Sequence, residues 1–227
     1  MPLNLQAFKT RTLTAIVFAV IMLAGLFWNQ WSFIILFTVI HFGCWYEYIL
    51  LLRKINPQKF VQFLPFGLLY ITMPMVMMIH LYYFSVTTHI SLHTLFPVIP
   101  CAIIFSIWIN DTMAYIVGSL IGKTPFSKIS AKKTWEGTIG GAILCIVIMA
   151  FFGIWNKQYP TTDRILIPAL CAVFGTLGDL LESKLKRLAG VKDSGTLMPG
   201  HGGFLDRFDS LLVATPFVWL YVYFFIR

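Results

Sequence analysis

The sequence predicts an all-α fold: a polytopic integral membrane helix bundle of about seven spans, with a range of six to nine. Composition is the first observation, since 58% of the 227 residues are hydrophobic and 11% are charged. A soluble core of this size has no room for that much apolar surface, whereas a bilayer accommodates it. Length is the second observation, because most apolar runs approach the ~20 residues that a helix needs to cross the hydrocarbon. The third is that charged residues cluster in a few short stretches.

The apolar runs define the predicted spans in order. Their approximate bounds are 12–28, 31–52, 60–82, 94–122, 137–155, 164–182 and 210–226. The fourth run is too long for one straight span and contains Asn110 and Asp111, so we expect a broken helix or two short helices there. The first run is predicted to be a retained span rather than a signal peptide, because no small-residue cleavage site follows it.

The basic residues predict which side of the membrane the loops face. With seven spans and a cytoplasmic N-terminus, the inner segments hold all 17 Lys and Arg residues except Lys157, Arg164 and Arg227. This asymmetry is a strong positive-inside bias. We therefore expect a multi-pass protein in the lipid bilayer of a bacterial inner membrane, with its functional loops on the cytoplasmic face.

The acidic residues are informative because the chain has only nine. By this topology all of them except Asp163 lie in or near the inner half of the membrane. A carboxylate beside hydrocarbon is costly, so an intramembrane acid is by default a hypothesis for a functional site. Several acids on one side indicate a cation held by hard oxygen ligands, or a path for ions or protons.

The first polar stretch is GTLGDLLESKLKR, residues 175–187, at the inner end of the sixth predicted span. Its polar residues recur at helical spacing and share one face: Asp179, Glu182, Ser183, Lys186 and Arg187. A solvated helix end with an ordinary i,i+4 pair explains Glu182. It does not explain Asp179, which follows a run that should still lie in the membrane.

A glycine-rich loop follows this stretch. Residues 190–203 contain five glycines and Pro199, so they cannot continue the helix. Glycines let backbone amides approach a phosphate closely. Asp206 followed by Arg207 indicates a metal ligand beside a phosphate clamp, whereas Asp209 is predicted to N-cap the last span.

A third polar stretch is SKISAKKTWEGTIGG, residues 127–141. Lys132 and Lys133 are point charges suited to a polyphosphate, and Trp135 could anchor at the interface or pack against a base. The spacing is not that of a Walker A loop. Together the three stretches favour a metal-assisted reaction of phosphates, in which a divalent ion bridges phosphate oxygens and basic residues offset charge.

One spaced pattern joins the first stretch to the loop: Ser183-x-x-Lys186-Arg187, Lys192-Asp193-Ser194-Gly195 and Pro199-Gly200-His201-Gly202-Gly203-x-x-Asp206-Arg207-x-Asp209. It resembles the signature of the phosphatidate cytidylyltransferases, the CDP-diacylglycerol synthases. Three further places support the resemblance: Asp111-Thr-x-Ala-Tyr115, Lys132-Lys133-Thr134-Trp135-Glu136-Gly137 and Gly178-Asp179. It covers residues from about 100 to 215. Ser119 departs from the pattern, since many bacterial members carry an Arg there, and this removes one phosphate contact.

The resemblance implies a nucleotidyltransferase that acts on phosphatidic acid and CTP, gives CDP-diacylglycerol and pyrophosphate, and needs Mg²⁺. It implies Asp179 and Asp206 as metal ligands. The residues implied to be catalytic are Asp179, Asp206, Lys186, Arg187, Arg207 and His201. Those implied to bind substrate are Lys132, Lys133, Thr134, Ser183, Lys192, Gly202 and Gly203. We accordingly divide the chain into N-terminal membrane spans, residues 1–93, and a catalytic membrane region with cytoplasmic-face loops, residues 94–227.

Two other functions stay open at this point. An ion-coupled membrane transporter would also explain acids in broken helices, although it predicts charges near the midplane and repeat symmetry. A CTP-dependent polyprenol kinase is closer in chemistry, and only the long signature disfavours it. We expect no nucleic-acid partner. The sequence leaves the oligomeric state undecided, with a homodimer as one expectation.

Overall fold

The computed structural model describes residues 5–87, 97–127, 129–130, 132–152, 160–196 and 202–226, with side chains from residue 12 onward. The regular elements within these ranges are all helical. They are α1 (Leu5–Phe27), α2 (Gln30–Ile55), α3 (Phe60–Gly67), a π-helical turn (Leu68–Thr72), α4 (Met73–Thr87), α5 (Val98–Ile121), α6 (Trp135–Phe152), α7 (Thr161–Leu188) and α8 (Leu205–Phe225).

Six helical segments of the described chain are long and apolar enough to cross a membrane. They are α2, the continuous segment from α3 to α4, and α5, α6, α7 and α8. Helix α1 adds a shorter apolar stretch, Thr12–Phe27. The protein is therefore a multi-span helical membrane protein, which confirms the predicted fold class and falls within the predicted range of spans.

The irregular span is the third rather than the fourth. Residues Leu68–Thr72 form a π-helical turn between α3 and α4, close to Pro65, which has no N–H to give to the helix. Helix α5 runs without a break through Asn110 and Asp111. The expectation of a broken fourth span was wrong for residues 98–121, because both polar residues line a cavity between helices and need no break to reach polar surroundings.

Apolar packing holds the helices together away from the polar loops. The ring of Phe33 on α2 lies 4.5 Å, centroid to centroid, from Tyr82 on α4, and both side chains are buried. Large apolar side chains such as Ile143 and Val147 on α6 are instead exposed on the outside of the bundle. An exposed apolar surface of this kind is suited to lipid rather than to water.

Glycines allow the helices that carry the polar residues to approach closely. A Cβ added at Gly141 on α6 would lie 2.7 Å from the Cα of Ala114 on α5. A Cβ added at Gly178 on α7 would overlap the backbone carbonyl of Asp209 on α8. Small residues are common where membrane helices touch backbone to backbone. The contact at Gly178 brings the Asp179 end of α7 against α8.

Helix α8 begins earlier than the sequence predicted. Its first residue is Leu205, with Phe204 at the N-cap position, rather than a residue near 210. Asp209 therefore lies one turn inside the helix, and the prediction that it caps α8 was wrong. Its carboxylate oxygen Oδ1 accepts a hydrogen bond of 2.6 Å from the N–H of Ser210. The early start brings Asp206 and Arg207 into the first turn of the helix.

Candidate active site

A cavity of about 910 Å³ lies where α5 and α7 end and α6 and α8 begin; we call it the active-site cavity. Among the described residues, the carboxylates that line it are Asp111, Asp179, Asp193, Asp206 and Asp209. The basic side chains that line it are Lys132, Lys133, Lys186, Lys192 and Arg207. The structure thus brings residues of all three polar stretches to one site.

The segment before α6 carries two of these lysines. Its backbone folds back on itself, with the N–H of Phe126 donating a 2.7 Å hydrogen bond to the carbonyl of Lys133. Glu136 anchors the turn by accepting a 2.8 Å hydrogen bond from the hydroxyl of Thr124. The hydroxyl of Thr134 accepts from the N–H of Gly137 and so caps α6. Thr134, which the resemblance implied as a substrate-binding residue, lines the cavity, and its hydroxyl is already used by the N–H of Gly137.

Asp179 is joined to two of the predicted site residues. Its Oδ2 forms an ion pair with the ammonium of Lys133, which connects the end of α7 to the segment before α6. Its Oδ1 accepts a 3.2 Å hydrogen bond from the hydroxyl of Ser183. Ser183 is buried and does not line the cavity. The contact of Ser183 is with a carboxylate of the site, so its effect on the cavity is to orient Asp179.

Lys186 lies between two carboxylates. Its Nζ is 2.5 Å from Oε2 of Glu182 and 2.5 Å from Oδ1 of Asp206. The Glu182 side chain is 0% exposed, so the interpretation of Glu182–Lys186 as a solvated surface pair was wrong. Removing one member of a buried ion pair leaves an uncompensated charge and is strongly destabilising. The pair therefore fixes the position of the Lys186 ammonium at the wall of the cavity.

Asp206 binds the two described ends of the glycine-rich stretch. Its Oδ2 accepts hydrogen bonds of 2.8 Å from the N–H of Ser194 and 2.8 Å from the N–H of Gly203. The hydroxyl of Ser194 lies 2.9 Å from the same oxygen. Gly202 has φ +82, a left-handed conformation that favours glycine, and its added Cβ would meet the Asp206 carboxylate. Both oxygens of Asp206 are thus already engaged by the protein.

Glu47 of α2 is a residue of the site that the sequence reasoning did not assign. It is 3% exposed and accepts hydrogen bonds of 2.9 Å from the N–H groups of Phe204 and Leu205, at the start of α8. The hydroxyl of Ser194 donates a 2.6 Å hydrogen bond to it. A negative charge stabilises the N-terminus of a helix. The available sequence clue was that Glu47 is the only acid before Asp111.

Other predicted residues lie in different surroundings. Arg187 is exposed and does not line the cavity; its guanidinium donates a 3.1 Å hydrogen bond to the carbonyl of Val191 and closes the end of α7. Gly203 is buried, and its N–H donates a hydrogen bond to Asp206. Gly202 lines the cavity. His201 lies outside the described residues. Asn110 was not predicted, yet it lines the cavity, is 4% exposed, and its Oδ1 has no hydrogen-bond partner within the described part of the chain.

A comparison with known protein families gives a match that includes the whole active-site cavity. The model of the family described as "Cytidylyltransferase family" matches residues 70–225, which is more than half of the chain and includes every residue that lines the cavity. The chain belongs to the cytidylyltransferase family. Membership of the cytidylyltransferase family disfavours the ion-coupled transporter among the predicted alternatives. Glu47 lies outside the matched residues.

Curated relatives agree with the cytidylyltransferase family. A phosphatidate cytidylyltransferase of Bacillus subtilis is 46% identical over 115 residues, which are 50% of this chain and 43% of the relative. One of Haemophilus influenzae is 41% identical over 145 residues, 61% of this chain and 49% of the relative. The chloroplastic phosphatidate cytidylyltransferase 4 of Arabidopsis thaliana is 42% identical over 114 residues, 50% of this chain and 29% of the relative. The matched part is thus less than half the length of each of these three relatives.

Proposed function

We propose that the protein is a phosphatidate cytidylyltransferase, which converts CTP and phosphatidic acid to CDP-diacylglycerol and pyrophosphate. The position of the active-site cavity is the observation that carries this proposal. A site lined by lysines, an arginine and aspartates lies at the end of helices whose outer surfaces are apolar. One substrate is a water-soluble nucleotide and the other is embedded in lipid, and a site at the membrane surface is accessible to both. The names of the three relatives support the same reaction.

The reaction requires the protein to position both substrates and to offset the negative charge of their phosphates. A phosphate oxygen of the lipid attacks the α-phosphorus of CTP, the bond from that phosphorus to the oxygen bridging to the β-phosphate breaks, and pyrophosphate leaves. No covalent intermediate with the protein is needed, so the side chains contribute orientation and charge neutralisation. Lys132, Lys192 and Arg207 are exposed residues of the cavity wall and would hold phosphate oxygens.

Lys133 and Lys186 have a second task in this proposal. An ammonium group has three donors. Lys186 directs two of them to Glu182 and Asp206, which leaves the third for a phosphate oxygen. Lys133 is paired with Asp179, and a bound polyphosphate would compete for it. Nucleotide binding would then release the Asp179 carboxylate for a cation.

The donor set of the cavity fits Mg²⁺. This ion binds through one or two carboxylates and takes its other ligands from water and substrate phosphates. Among the described residues, no three or more His, Cys, Asp and Glu side chains form a cluster that could hold a metal ion by themselves. We propose Asp179 and Asp209, with the unpaired Oδ1 of Asn110, as the groups that would hold it. A bound Mg²⁺ would supply positive charge to the phosphates.

Asp206 suits the predicted role of metal ligand less well. Its oxygens already accept from two backbone N–H groups and from Lys186. We therefore propose that Asp206 holds the loop and Lys186 in place, and that its effect on a metal is indirect.

We propose that the cavity faces the cytoplasm from the inner membrane of a bacterial cell. The basic residues support this orientation, because those of the cavity and Lys54 at the end of α2 lie at one end of the bundle, and positive charge favours the cytoplasmic side. The homodimer stays a prediction, which light scattering on the detergent-solubilised protein would test.

The test of the proposed function uses purified protein in mixed micelles that contain phosphatidic acid, with CTP labelled at the α-phosphate. We expect label to enter the lipid phase only when phosphatidic acid and Mg²⁺ are present, and EDTA to stop it. Transfer of a γ-phosphate label to a polyprenol instead would support the kinase. Absence of both reactions in protein shown to be folded by circular dichroism would overturn the proposal.

A further inference from the structure

A second cavity, of about 670 Å³, lies beside the active-site cavity. The two cavities have described wall residues in common: Lys192, Asp193, Gly195 and Thr196. The short segment 192–196 therefore separates them. Among the described residues, this segment is what lies between a molecule in the second cavity and the active-site cavity.

One face of α2 forms the opposite wall. The residues that it contributes are Gly43, Tyr46, Glu47, Leu50, Leu51 and Lys54. Their spacing of three and four places them on a single stripe. Eleven residue steps at ~1.5 Å each give a stripe of about 16 Å, or roughly half of the ~30 Å hydrocarbon core. The second cavity thus runs from Lys54 along α2 for a length comparable to half of a bilayer's hydrocarbon core.

The chemistry of the stripe changes along its length. Lys54 lies at the outer end, and Lys192 lies on the shared wall; both are exposed. Leu50 and Tyr46 follow deeper, and the Tyr46 side chain is 67% exposed, so the stripe is open sideways to the surroundings of the bundle. Phe204 closes the deep end, since a Cβ added at Gly43 would overlap its ring.

The acids of this cavity leave the lysines available. Glu47 accepts three hydrogen bonds from the loop and the start of α8, so its charge is already compensated. Asp193 lies in the wall shared with the active-site cavity. A ligand with an anionic head and a long apolar chain matches this order of basic and apolar groups, whereas a nucleotide has no part that suits the leucines.

We propose that the second cavity is the binding site of the lipid substrate. The phosphate of phosphatidic acid binds between Lys54 and Lys192, an acyl chain lies along the α2 stripe, and the lipid enters sideways from the bilayer past Tyr46. The phosphate then reaches the nucleotide past segment 192–196. This inference rests on the proposed function, to which it adds the place and the route of one substrate.

The kinetics of matched variants test this lipid-binding site. We expect Lys54→Ala to raise the KM for phosphatidic acid about tenfold, as for one lost charge-assisted hydrogen bond, and to leave the KM for CTP unchanged. Leu50→Trp should raise the same KM by filling the groove. Lys59→Ala removes a neighbouring charge outside the cavity, and Val39→Trp adds the same bulk on a lipid-facing part of α2. Neither control should change either KM.

A crosslinking experiment locates the bound lipid without needing turnover. Wild-type protein in phosphatidylcholine nanodiscs receives phosphatidic acid with a photoactivatable group in its acyl chain, and mass spectrometry maps the adducts. We expect adducts on residues 43–54 and Phe204, reduced by excess phosphatidic acid and lost in Leu50→Trp. Adducts elsewhere, or equal competition by phosphatidylcholine, would overturn the inference.

The two proposals fail in different ways. If the wild-type protein labels lipid and Lys54→Ala has an unchanged KM for phosphatidic acid, the cytidylyltransferase proposal is supported and the proposed lipid-binding site is overturned. A wild-type protein that never labels lipid overturns the cytidylyltransferase, and the crosslinking result then decides whether phosphatidic acid binds at the second cavity.

Discussion

Glu47 offers the sharpest test of how the site is held together. Its carboxylate accepts hydrogen bonds from the backbone N–H groups of Phe204 and Leu205 and from the hydroxyl of Ser194. Glycine backbone closes against it, since a Cβ at Gly203 would overlap its oxygens. The Glu47→Ala substitution removes the acceptor and leaves these donors in a buried pocket.

The cost of that substitution follows from the number of donors left without a partner. The hydroxyl of Ser194 can turn to Asp206, whose Oδ2 is 2.9 Å away. The two backbone N–H groups have no second side-chain acceptor in the described part of the chain. Each buried unsatisfied donor costs about 1–3 kcal/mol, so we expect about 2–6 kcal/mol in total. Glu47→Gln keeps one carbonyl oxygen and should lose roughly half of that.

Thermal unfolding in detergent and hydrogen exchange measure the effect together. We expect a lower unfolding temperature for Glu47→Ala, faster exchange of the amides of residues 202–206, and an intermediate result for Glu47→Gln. Ile35→Ala, at an exposed position of the same helix, is the control and should change neither quantity. Unchanged exchange at residues 202–206 in Glu47→Ala would refute the view that Glu47 anchors the loop.

Three further predictions concern the helix contacts, the basic residues and the metal. Gly141→Ala should destabilise the protein by about 1–3 kcal/mol, because its Cβ would press on the backbone of α5. Gly175→Ala, whose Cβ would meet its nearest atom at 3.4 Å, should not lower the unfolding temperature. Lys132→Ala should raise the KM for CTP at least tenfold, whereas Arg187→Ala, outside the cavity, should leave it within about twofold; the reverse order would restore Arg187 to the site. Asp179→Asn should raise the Mg²⁺ concentration needed for half-maximal activity, and an unchanged requirement in a metal titration would exclude Asp179 as a ligand.

Local patterns in the sequence were sufficient to predict that several polar residues lie together in one cavity. Helical spacing places Asp179 and Lys186 on one side of α7. The signature places Arg207 shortly after Gly202 and Gly203. Asp179, Lys186 and Arg207 line the active-site cavity. Arg187 was grouped with them on the same helical face, but a residue adjacent to Lys186 points about 100° away from it. Its side chain accordingly reaches the end of its own helix instead.

Other features had no local pattern to predict them. The contact between Glu47 and Ser194 joins residues 147 positions apart, so nothing near Glu47 in the sequence indicates its partner. The start of α8 was placed too late because charged residues at Asp206 and Asp209 interrupt the hydropathy that defines a span. The π-helical turn at Leu68–Thr72 lies in a uniformly apolar run, where a change in helical winding leaves hydropathy unaltered.

The bond between Glu47 and the start of α8 also has a consequence for biosynthesis. Helix α2 leaves the ribosome early and α8 last among the helices described, so the donors for the Glu47 carboxylate exist only after most of the chain has entered the membrane. The hydrogen bonds of Phe204 and Leu205 to Glu47 therefore form only once the start of α8 is present. A nascent chain that still lacks α8 has a Glu47 carboxylate on α2 without these two partners, where the complete bundle has a helix contact, so this contact is among the late ones to form during synthesis.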